Sequence, residues 1–413
     1  MKKSRIFVIG MGYVGLTLAT SLARSAKNQL IIGIDSKKDL IENLKNGKAP
    51  YVEKDLTKTF KQLVSSKRII FSHDDEYSEF ITNVDAVIIC VGTPHLKFKG
   101  HFEYLEPLLN KYKDLILNSN ILIIRSTVEV GTTSKIKLFF REKFNVELRI
   151  AMCPERTLEG DALNELSTLP QIIGIQDSRS FHLAKKVFSL ITKNIIRVNT
   201  HEGAEFIKLM SNAWRDYSFA FSNLISINAV KWNLNINHLI EAANTDYPRP
   251  KIHKPGPVGG PCLTKDPSIF TKSFHFEKSL LSRTRKINRN YVEIMFKKIC
   301  EEQRINPLDS HKFLLGGKSF KGHPHTSDYR DSPTIDLQKY IEKKTNFTCQ
   351  IFEPTLGNSK LCSQNGVLIG DLLDQSDFFI IMNNHEFFKS KYFTQLMRIR
   401  KYHSKLVWNF ADY

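Results

Sequence analysis

Residues 4–15, SRIFVIGMGYVG, are the stretch of this chain most informative about its fold. The apolar run over residues 4–9 predicts a buried strand, residues 16–26 predict a helix, and residues 31–35 predict the next strand. The glycines therefore lie at a strand-to-helix turn, with an acid, Asp35, following at the end of the second strand. A G-x-G-x-x-G turn inside such a β–α–β unit predicts a dinucleotide-binding unit built on a parallel sheet.

The residues of this turn have separate predicted tasks. Gly10 makes the tight turn, Gly12 lets the backbone approach a pyrophosphate, and Gly15 lets the helix pack closely on the strand. The N-terminus of the helix then offers N–H groups to the phosphates. Asp35 is placed to accept hydrogen bonds from the adenosine ribose hydroxyls, which favours NAD over NADP. The alternative stays open, because residues 37–38 are lysines suited to a 2′-phosphate.

The apolar pattern continues through several further segments that read as strands, namely residues 68–72, 86–92, 121–127, 149–153 and 171–175. Two segments, residues 91–94 and 125–128, follow strands and lie where an open doubly wound sheet binds its ligands. Glu155, after Pro154, also follows a strand. It is either a general base or a solvated loop acid.

Residues 201–231 contain no proline and predict one long helix that connects domains and carries a dimer contact. Glu205, Lys208 and Asn212 share one face of it, because they are spaced three and four residues apart. That face is either solvated or part of a site.

Residues 255–267, PGPVGGPCLTKDP, predict a rigid, non-helical loop because of their glycines and prolines. The loop carries Cys262, Lys265 and Asp266. A thiolate is a nucleophile and a neighbouring ammonium stabilises it, which suits covalent catalysis. The alternative is a tight surface turn with an idle cysteine.

Strand and helix patterns start again at about residue 305. We expect strands at residues 312–315, 348–352 and 378–382, and a helix from the N-cap Ser332 to about residue 344. Lys318, Lys321 and Arg330 around the first turn are suited to phosphates. The fold class is therefore α/β, with two Rossmann-like doubly wound domains joined by a central helical region. The predicted divisions are residues 1–199, 200–302 and 303–413.

Composition narrows the function classes. The chain has 413 residues and a formal net charge of +18, but its lysines are spread along the chain, which does not favour a nucleic-acid partner. Apolar runs such as residues 121–124 are too short to span a bilayer, so we expect a cytoplasmic protein with no membrane partner. The 6 cysteines form no C-x-x-C pair, so neither a metal site nor a disulfide framework is predicted.

Taken together, the motifs resemble the nucleotide-sugar 6-dehydrogenases of the UDP-glucose/GDP-mannose dehydrogenase family. The resemblance covers nearly the whole chain and rests on the residues at 10–15, 91–94, 126–133, 154–160, 204–212, 259–266 and 319–333. It implies an N-terminal NAD domain, a central dimerisation region and a C-terminal domain for the nucleotide of the sugar. It also implies a homodimer or higher homo-oligomer.

The resemblance implies a four-electron oxidation of the sugar's terminal primary alcohol to a carboxylate. Cys262 forms a thiohemiacetal and then a thioester, which water hydrolyses. Lys208 and Asn212 stabilise negative charge on oxygen. Asp266, with a water near Thr127, serves proton transfer, and Glu155 assists hydrolysis.

By the same resemblance, the cofactor-binding residues are Gly10, Gly12, Tyr13, Val14, Gly15, Asp35, Thr93, Thr127 and Lys265. The substrate-binding residues are Glu155, Arg156, Leu158, Lys208, Asn212, Arg249, Gly259, Phe320, Lys321 and Arg330, the last often supplied by the partner subunit.

Some residues depart from the family pattern. Pro261 precedes Cys262 directly, and residues 263–264 are Leu-Thr where many members have Phe-Pro. Arg156 resembles the N-acetylhexosamine branch, whereas Lys265 and Asp266 resemble the UDP-glucose branch. The sugar therefore stays open between a UDP-hexose and a UDP-N-acetylhexosamine. Two other readings are a two-electron hydroxyacid dehydrogenase, which leaves Cys262 idle, and a nucleotide-sugar sensor, for which a lost nucleophile is expected.

Overall fold

The structure is a computed structural model that describes residues 4–94, 100–229, 232, 234–249, 251–274, 279–354 and 368–410. The chain divides into two compact units. The first comprises Met1–Ser211 with Lys272–Phe274, and the second comprises Asn212–Thr271 with His275–Tyr413. The three-part division expected from the sequence stays a prediction.

An eight-stranded sheet forms the centre of the first unit, in the order β3-β2-β1-β4-β5-β6-β7-β8. Its strands are β1 Ser4–Ile9, β2 Gln29–Asp35, β3 Ile69–His73, β4 Val84–Ile89, β5 Leu122–Ile124, β6 Ile150–Met152, β7 Gln171–Gly174 and β8 Ile195–Val198. Every pairing is parallel except β6 with β7. These strands are rich in Ile and Val because both faces of the sheet are covered, which leaves separate buried clusters on its two sides.

The helices of the first unit are α1 Tyr13–Ser25, α2 Lys38–Lys45, α3 Leu56–Ser65, α4 His101–Lys111, α5 Lys113–Leu117, α6 Thr132–Phe144, α7 Ala162–Thr168 and α8 Ser178–Phe188. Since β1 lies between β2 and β4, the strand order reverses at β1. Such a reversal opens a crevice at the carboxyl ends of the strands, where the glycine turn lies.

The long helix α9, His201–Ala229, confirms the predicted helix, and the division between the units falls inside it. Residues 230–231, which the prediction included, lie outside the described residues. The helices α10 Ile236–Asn244, α11 Pro261–Ser273 and α12 Leu280–Glu302 follow.

The second unit also contains a parallel sheet, in the order β10-β9-β11-β12. Its strands are β9 Lys312–Gly316, β10 Thr348–Phe352, β11 Phe378–Ile381 and β12 Leu406–Asn409. The helices that accompany them are α13 Pro333–Lys344, α14 Ile369–Asp374, α15 Lys391–Arg398 and α16 Arg400–His403. Ser332 caps α13 by accepting a hydrogen bond from the Thr334 N–H, as predicted. The α/β class with two Rossmann-like sheets is therefore confirmed.

The prediction that residues 255–267 form a non-helical loop is wrong for its second half. Helix α11 begins at Pro261, so Cys262 lies in its first turn. Proline suits the first helical turn, because the N–H it lacks would have no helical partner there. Pro267 lies inside the same helix, where its missing N–H leaves a carbonyl that another side chain must satisfy.

Candidate active site

The glycine turn has the geometry that its residues predict. Gly10 has φ +94°, and a Cβ there would lie 2.9 Å from the Val91 nitrogen. A Cβ on Gly15 would lie 1.8 Å from the Gly10 oxygen, so only glycine lets the helix pack so closely. A Cβ on Gly12, by contrast, would meet nothing within 4 Å. Gly12 is the N-cap of α1 and brings no side-chain cap, which leaves room and donors for a pyrophosphate.

Asp35 is half-buried at the carboxyl end of β2, and its carboxylate supports the turn. Its two oxygens accept hydrogen bonds from the Met11 N–H at 2.8 Å and from the Lys37 N–H at 3.0 Å. A carboxylate has further lone pairs, so these bonds leave acceptor capacity for a ribose. The residues at this crevice thus fit a dinucleotide. Ribose binding by Asp35 itself stays a prediction.

The Tyr13 hydroxyl, predicted to contact the cofactor, is engaged in hydrogen bonds within the protein. It donates to Glu53 and accepts from the Gly160 N–H at 2.8 Å. The buried Glu53 carboxylate also accepts from the N–H groups of Gly160 at 2.8 Å and Ala162 at 2.6 Å. Tyr13 and Glu53 therefore join the glycine turn to the segment after β6. Val14, next to Tyr13, packs against the apolar cluster on the same side of the sheet.

Loops at the carboxyl ends of β4 and β5 are tied together. The Thr93 hydroxyl donates to the Thr127 carbonyl, and the Ser126 hydroxyl donates to the Val91 carbonyl. The predicted site residues Thr93 and Thr127 therefore lie side by side, at the sheet edge where ligands bind.

Glu155 lies in a buried network with Arg125. One Glu155 oxygen accepts from Arg125 Nε at 3.0 Å and Nη2 at 2.6 Å. The other accepts from the N–H groups of Arg156 at 2.8 Å and Thr157 at 2.7 Å. Burial raises the pKa of Glu155, but the Arg125 charge and the Thr157 donors outweigh it and hold the pKa below its ordinary value. A carboxylate with four such donors is suited to shaping a loop more than to taking a proton.

The Glu205, Lys208 and Asn212 face of α9 is buried rather than solvated, with 0%, 8% and 7% exposure. Glu205 accepts from the N–H groups of Gly131 at 2.6 Å and Thr133 at 2.8 Å. It therefore caps the start of α6. Burial raises the pKa of Glu205.

The remaining predicted residues of the first unit are near Glu155. Arg156 is exposed, and the Leu158 N–H donates to Glu165. The positive charge of Lys208 contributes to lowering the Glu155 pKa.

In the second unit, α11 and the part of α9 that begins at Asn212 bring three predicted site residues together, namely Asn212, Lys265 and Asp266. Asp266 is 1% exposed and accepts from Asn212 Nδ2 at 2.6 Å. Lys265 Nζ lies 3.9 Å from the other Asp266 oxygen. Cys262 precedes them in the first turn of α11, where backbone N–H groups favour a negatively charged sulfur.

Cys262 differs from the other cysteines of the described residues, which are buried. Burial raises the pKa of Cys300 to about 11 and those of Cys90 and Cys349 to about 12, and it also raises that of Cys153. Within the described part of the chain, Cys262 is thus the one cysteine exposed to reagents.

Gly259 and Gly260, just before Cys262, let their segment pack closely against the stretch between β9 and α13. A Cβ on Gly259 would lie 2.4 Å from the Asp331 oxygen, and one on Gly260 would lie 2.5 Å from the Phe320 ring. Gly260 also has φ +87°. Phe320 therefore lies beside the segment that precedes Cys262, and its part in substrate binding stays a prediction.

The other residues predicted to bind substrate lie on loops of the second unit. Lys321 Nζ lies 5.6 Å from the centre of the Phe320 ring. Arg330 is exposed and pairs with Asp328, and Arg249 Nη1 donates to the Tyr247 hydroxyl at 2.9 Å. The loop after β9 is held by Glu353, which accepts from the Lys318 and Ser319 N–H groups. Sequence reasoning missed Glu53, Arg125 and Glu353. Arg125 and Glu353 each directly follow a buried strand, β5 and β10, which is a signal in the sequence, whereas Glu53 lies between α2 and α3 and has no such signal.

A glycine turn at the switch point of a parallel sheet defines the class, a protein with a dinucleotide-binding Rossmann domain. Residues 4–192 match the UDP-glucose/GDP-mannose dehydrogenase family, NAD binding domain, and residues 202–290 match the central domain of that family. The chain belongs to this family. It is an oxidoreductase that uses NAD to oxidise a nucleotide sugar to the uronic acid.

Two relatives illustrate the similarity. The UDP-N-acetyl-D-mannosamine dehydrogenase of Methanocaldococcus jannaschii is 32% identical over 84% of this chain and 78% of its own. That of Pyrococcus horikoshii is 28% identical over 94% of this chain and 90% of its own. The solved structure of the Pyrococcus horikoshii UDP-D-ManNAc dehydrogenase has a TM-score of 0.82 at 26% identity, over 97% of this chain and 93% of that one.

Proposed function

We propose that the substrate is a UDP-N-acetylhexosamine, and in the first place UDP-N-acetyl-D-mannosamine. The names of the relatives support this choice, and so does Arg156 directly after Glu155. The observation that carries the four-electron chemistry is the exposed thiol of Cys262 in the first turn of α11, with Asp266 in the next turn accepting a hydrogen bond from Asn212 of α9.

When bound, NAD+ supplies the hydride acceptor for each oxidation. The first oxidation gives an aldehyde, and the Cys262 thiolate adds to its carbon to form a thiohemiacetal. Loss of a second hydride leaves a thioester. Water cleaves the thioester, so the carboxylate leaves and the thiol is restored. One sugar therefore consumes two NAD+ and one water.

Lys208 and Asn212, one turn apart on α9, donate to the oxygen that becomes negatively charged in each step. Asp266 serves proton transfer, and its hydrogen bond from Asn212 fixes its orientation. Thr127 holds a water for the same purpose. Lys265 contacts the cofactor.

We assign Glu155 to holding residues 156–157 in place, because one of its oxygens accepts from their N–H groups while Arg125 donates twice to the other. In this role, Glu155 sets the course of the substrate loop, including Arg156 and Leu158. Its predicted part in hydrolysis is then indirect.

The proposed assembly is a homodimer through α9. Trp214, Phe221 and Leu224 are 64%, 46% and 44% exposed, and the Tyr217 ring lies against the Trp214 ring in a tilted arrangement. Positions 214, 217, 221 and 224 follow the three–four spacing of a helix-packing seam. A second copy of the same helix is the simplest occupant of such a stripe.

None of the helices in the described part of the chain is both long and apolar enough to cross a membrane. We keep the cytoplasm as the proposed location, because the reaction draws on NAD and a nucleotide sugar.

The test is turnover with UDP-N-acetylmannosamine, UDP-N-acetylglucosamine, UDP-glucose and GDP-mannose, for the wild type and for Cys262→Ser. We expect the highest kcat/KM with UDP-N-acetylmannosamine. In Cys262→Ser, complete oxidation should fall by several orders of magnitude, with NAD affinity retained. Wild-type turnover in this variant would remove Cys262 as the nucleophile, and preference for UDP-glucose would overturn the sugar assignment.

A further inference from the structure

Pro267 leaves one carbonyl of α11 without its helical donor. In an α-helix, the N–H of residue 267 would donate to the carbonyl of Leu263, and proline has no N–H. Instead, Arg285 Nη1, from α12, donates to the Leu263 oxygen at 2.9 Å. A side chain from another helix thus replaces the missing backbone bond, one residue away from Cys262.

The same guanidinium holds the other end of the nucleophile segment. Arg285 Nη2 donates to the Val258 carbonyl at 3.2 Å. Val258 and Leu263 enclose Gly259, Gly260, Pro261 and Cys262. One planar group therefore fixes both carbonyls that bound this segment, and guanidinium is suited to that because its donors lie in a rigid fork.

The Arg285 guanidinium is itself held in place by the buried Asp216 carboxylate. Its Nη1 lies 2.7 Å from Asp216 Oδ1, and Asp216, on α9, is 0% exposed. Asn288 Nδ2 donates to the same carboxylate oxygen at 2.7 Å, and the Thr284 hydroxyl donates to the other at 3.3 Å. A buried ion pair that is bonded in this way restricts the rotation of the guanidinium. It therefore gives the Cys262 segment a rigid support.

We propose that Arg285 is a positioning residue for the Cys262 thiol, a role that rests on the proposed function of Cys262 as nucleophile. Arg285 touches neither substrate nor cofactor in this role. It sets where the thiol lies when the aldehyde forms. Its loss should therefore lower kcat much more than it changes KM for NAD+, because Lys265 is the one proposed cofactor residue on α11, whereas the glycine turn and Asp35 belong to the other unit.

The first test is Arg285→Lys, which keeps the charge that pairs with Asp216 but has one nitrogen in place of a fork. We expect kcat to fall at least tenfold, with KM for NAD+ within twofold of wild type. The rate of Cys262 alkylation by iodoacetamide should change at least threefold, and peptide mass spectrometry should locate the label. Arg289→Lys, an exposed arginine on the same helix, is the matched control and should leave all three quantities unchanged.

Two additional variants separate positioning from general stability. Pro267→Ala restores an N–H at residue 267, so in the Arg285→Lys background it should recover part of the lost kcat. Arg285→Ala should regain turnover with millimolar guanidinium. A cavity of about 260 Å³, lined in part by Val258, Thr264 and Arg285, gives that ion a place to enter. If Arg285→Ala does not fold, the comparison of Arg285→Lys with the double variant Arg285→Lys/Pro267→Ala decides between the two roles.

The outcomes are distinguishable. Arg285→Lys with kcat within twofold of wild type and an unchanged alkylation rate overturns this inference and leaves the proposed function intact. Equal loss of kcat in Arg289→Lys also overturns it. Full turnover in Cys262→Ser overturns the proposed function instead. A selective loss of kcat with partial recovery by Pro267→Ala supports the positioning role.

Discussion

Buried carboxylates hold the loops at the edges of the two sheets through backbone N–H groups. Each of four acids accepts hydrogen bonds from two backbone N–H groups of a loop or helix start, namely Glu53, Glu155, Glu205 and Glu353. Burial raises the pKa of three of them. Glu155 differs because Arg125 lies against it, which lowers its pKa.

Glu155→Gln tests the Arg125 pair. Breaking a buried ion pair leaves an uncompensated charge, so we expect the free energy of unfolding to fall by about 3 kcal/mol at neutral pH. Glu147→Gln, which removes an exposed partner of Lys137, should cost less than about 1 kcal/mol. Denaturant unfolding measures both values.

The same variant has an expected pH dependence. The folded-state pKa of Glu155 lies below the ordinary value of 4.5, so its stabilisation is present above that value and is lost as pH falls through the folded pKa. The difference in Tm between wild type and Glu155→Gln should therefore shrink below about pH 4.5. A difference that stays constant down to pH 3 would contradict the role of the charge.

Asp35→Ala tests the ribose assignment. Hydrogen bonds to a charged group are worth about 1.5–3 kcal/mol, so the Kd for NAD+ should rise about tenfold or more. Asp39→Ala, at an exposed position on α2, should leave the Kd unchanged. Calorimetric titration measures both. An unchanged Kd in Asp35→Ala would refute the assignment.

At the scale of elements, local pattern predicted most of the sheet and failed at α11. Strands β1 and β2 and the start of α13 follow from apolar runs, the glycine turn and Ser332. Helix α11 was predicted as a loop because its prolines, judged one by one, argue against a helix. Arg285 satisfies the carbonyl that Pro267 leaves open, and that contact joins residues far apart in sequence. Residues Glu53 and Arg125 were missed for the same reason, since their partners are also distant.

Glu205→Ala tests how α9 supports α6. The carboxylate caps the first N–H groups of α6, and loss of a cap costs about 1–2 kcal/mol. Glu205→Gln keeps one acceptor oxygen and should cost less than Glu205→Ala. Urea unfolding would rank the two variants, and equal losses would argue that packing rather than capping explains the effect.

At the scale of the whole molecule, the net charge favours an anionic substrate. The apolar stripe of α9, residues 214, 217, 221 and 224, favours a second copy of the chain as partner. The net charge of +18 attracts anionic ligands over long range, and a nucleotide sugar is such a ligand. If the proposed homodimer forms through α9, Trp214→Glu should convert it to a monomer, because a charge in an apolar seam is costly. Leu308→Glu, at an exposed apolar position outside α9, should not. Light scattering after size exclusion gives the mass, and a wild-type monomer would contradict the proposed seam.

In the proposed mechanism, one active site performs both oxidations. The number of NADH molecules formed per molecule of limiting UDP-N-acetyl-D-mannosamine tests this mechanism. Two NADH per sugar, with a uronic acid as the product, is the result that the mechanism predicts. One NADH per sugar, with an aldehyde or ketone as the product, would contradict the four-electron reaction and the role of Cys262.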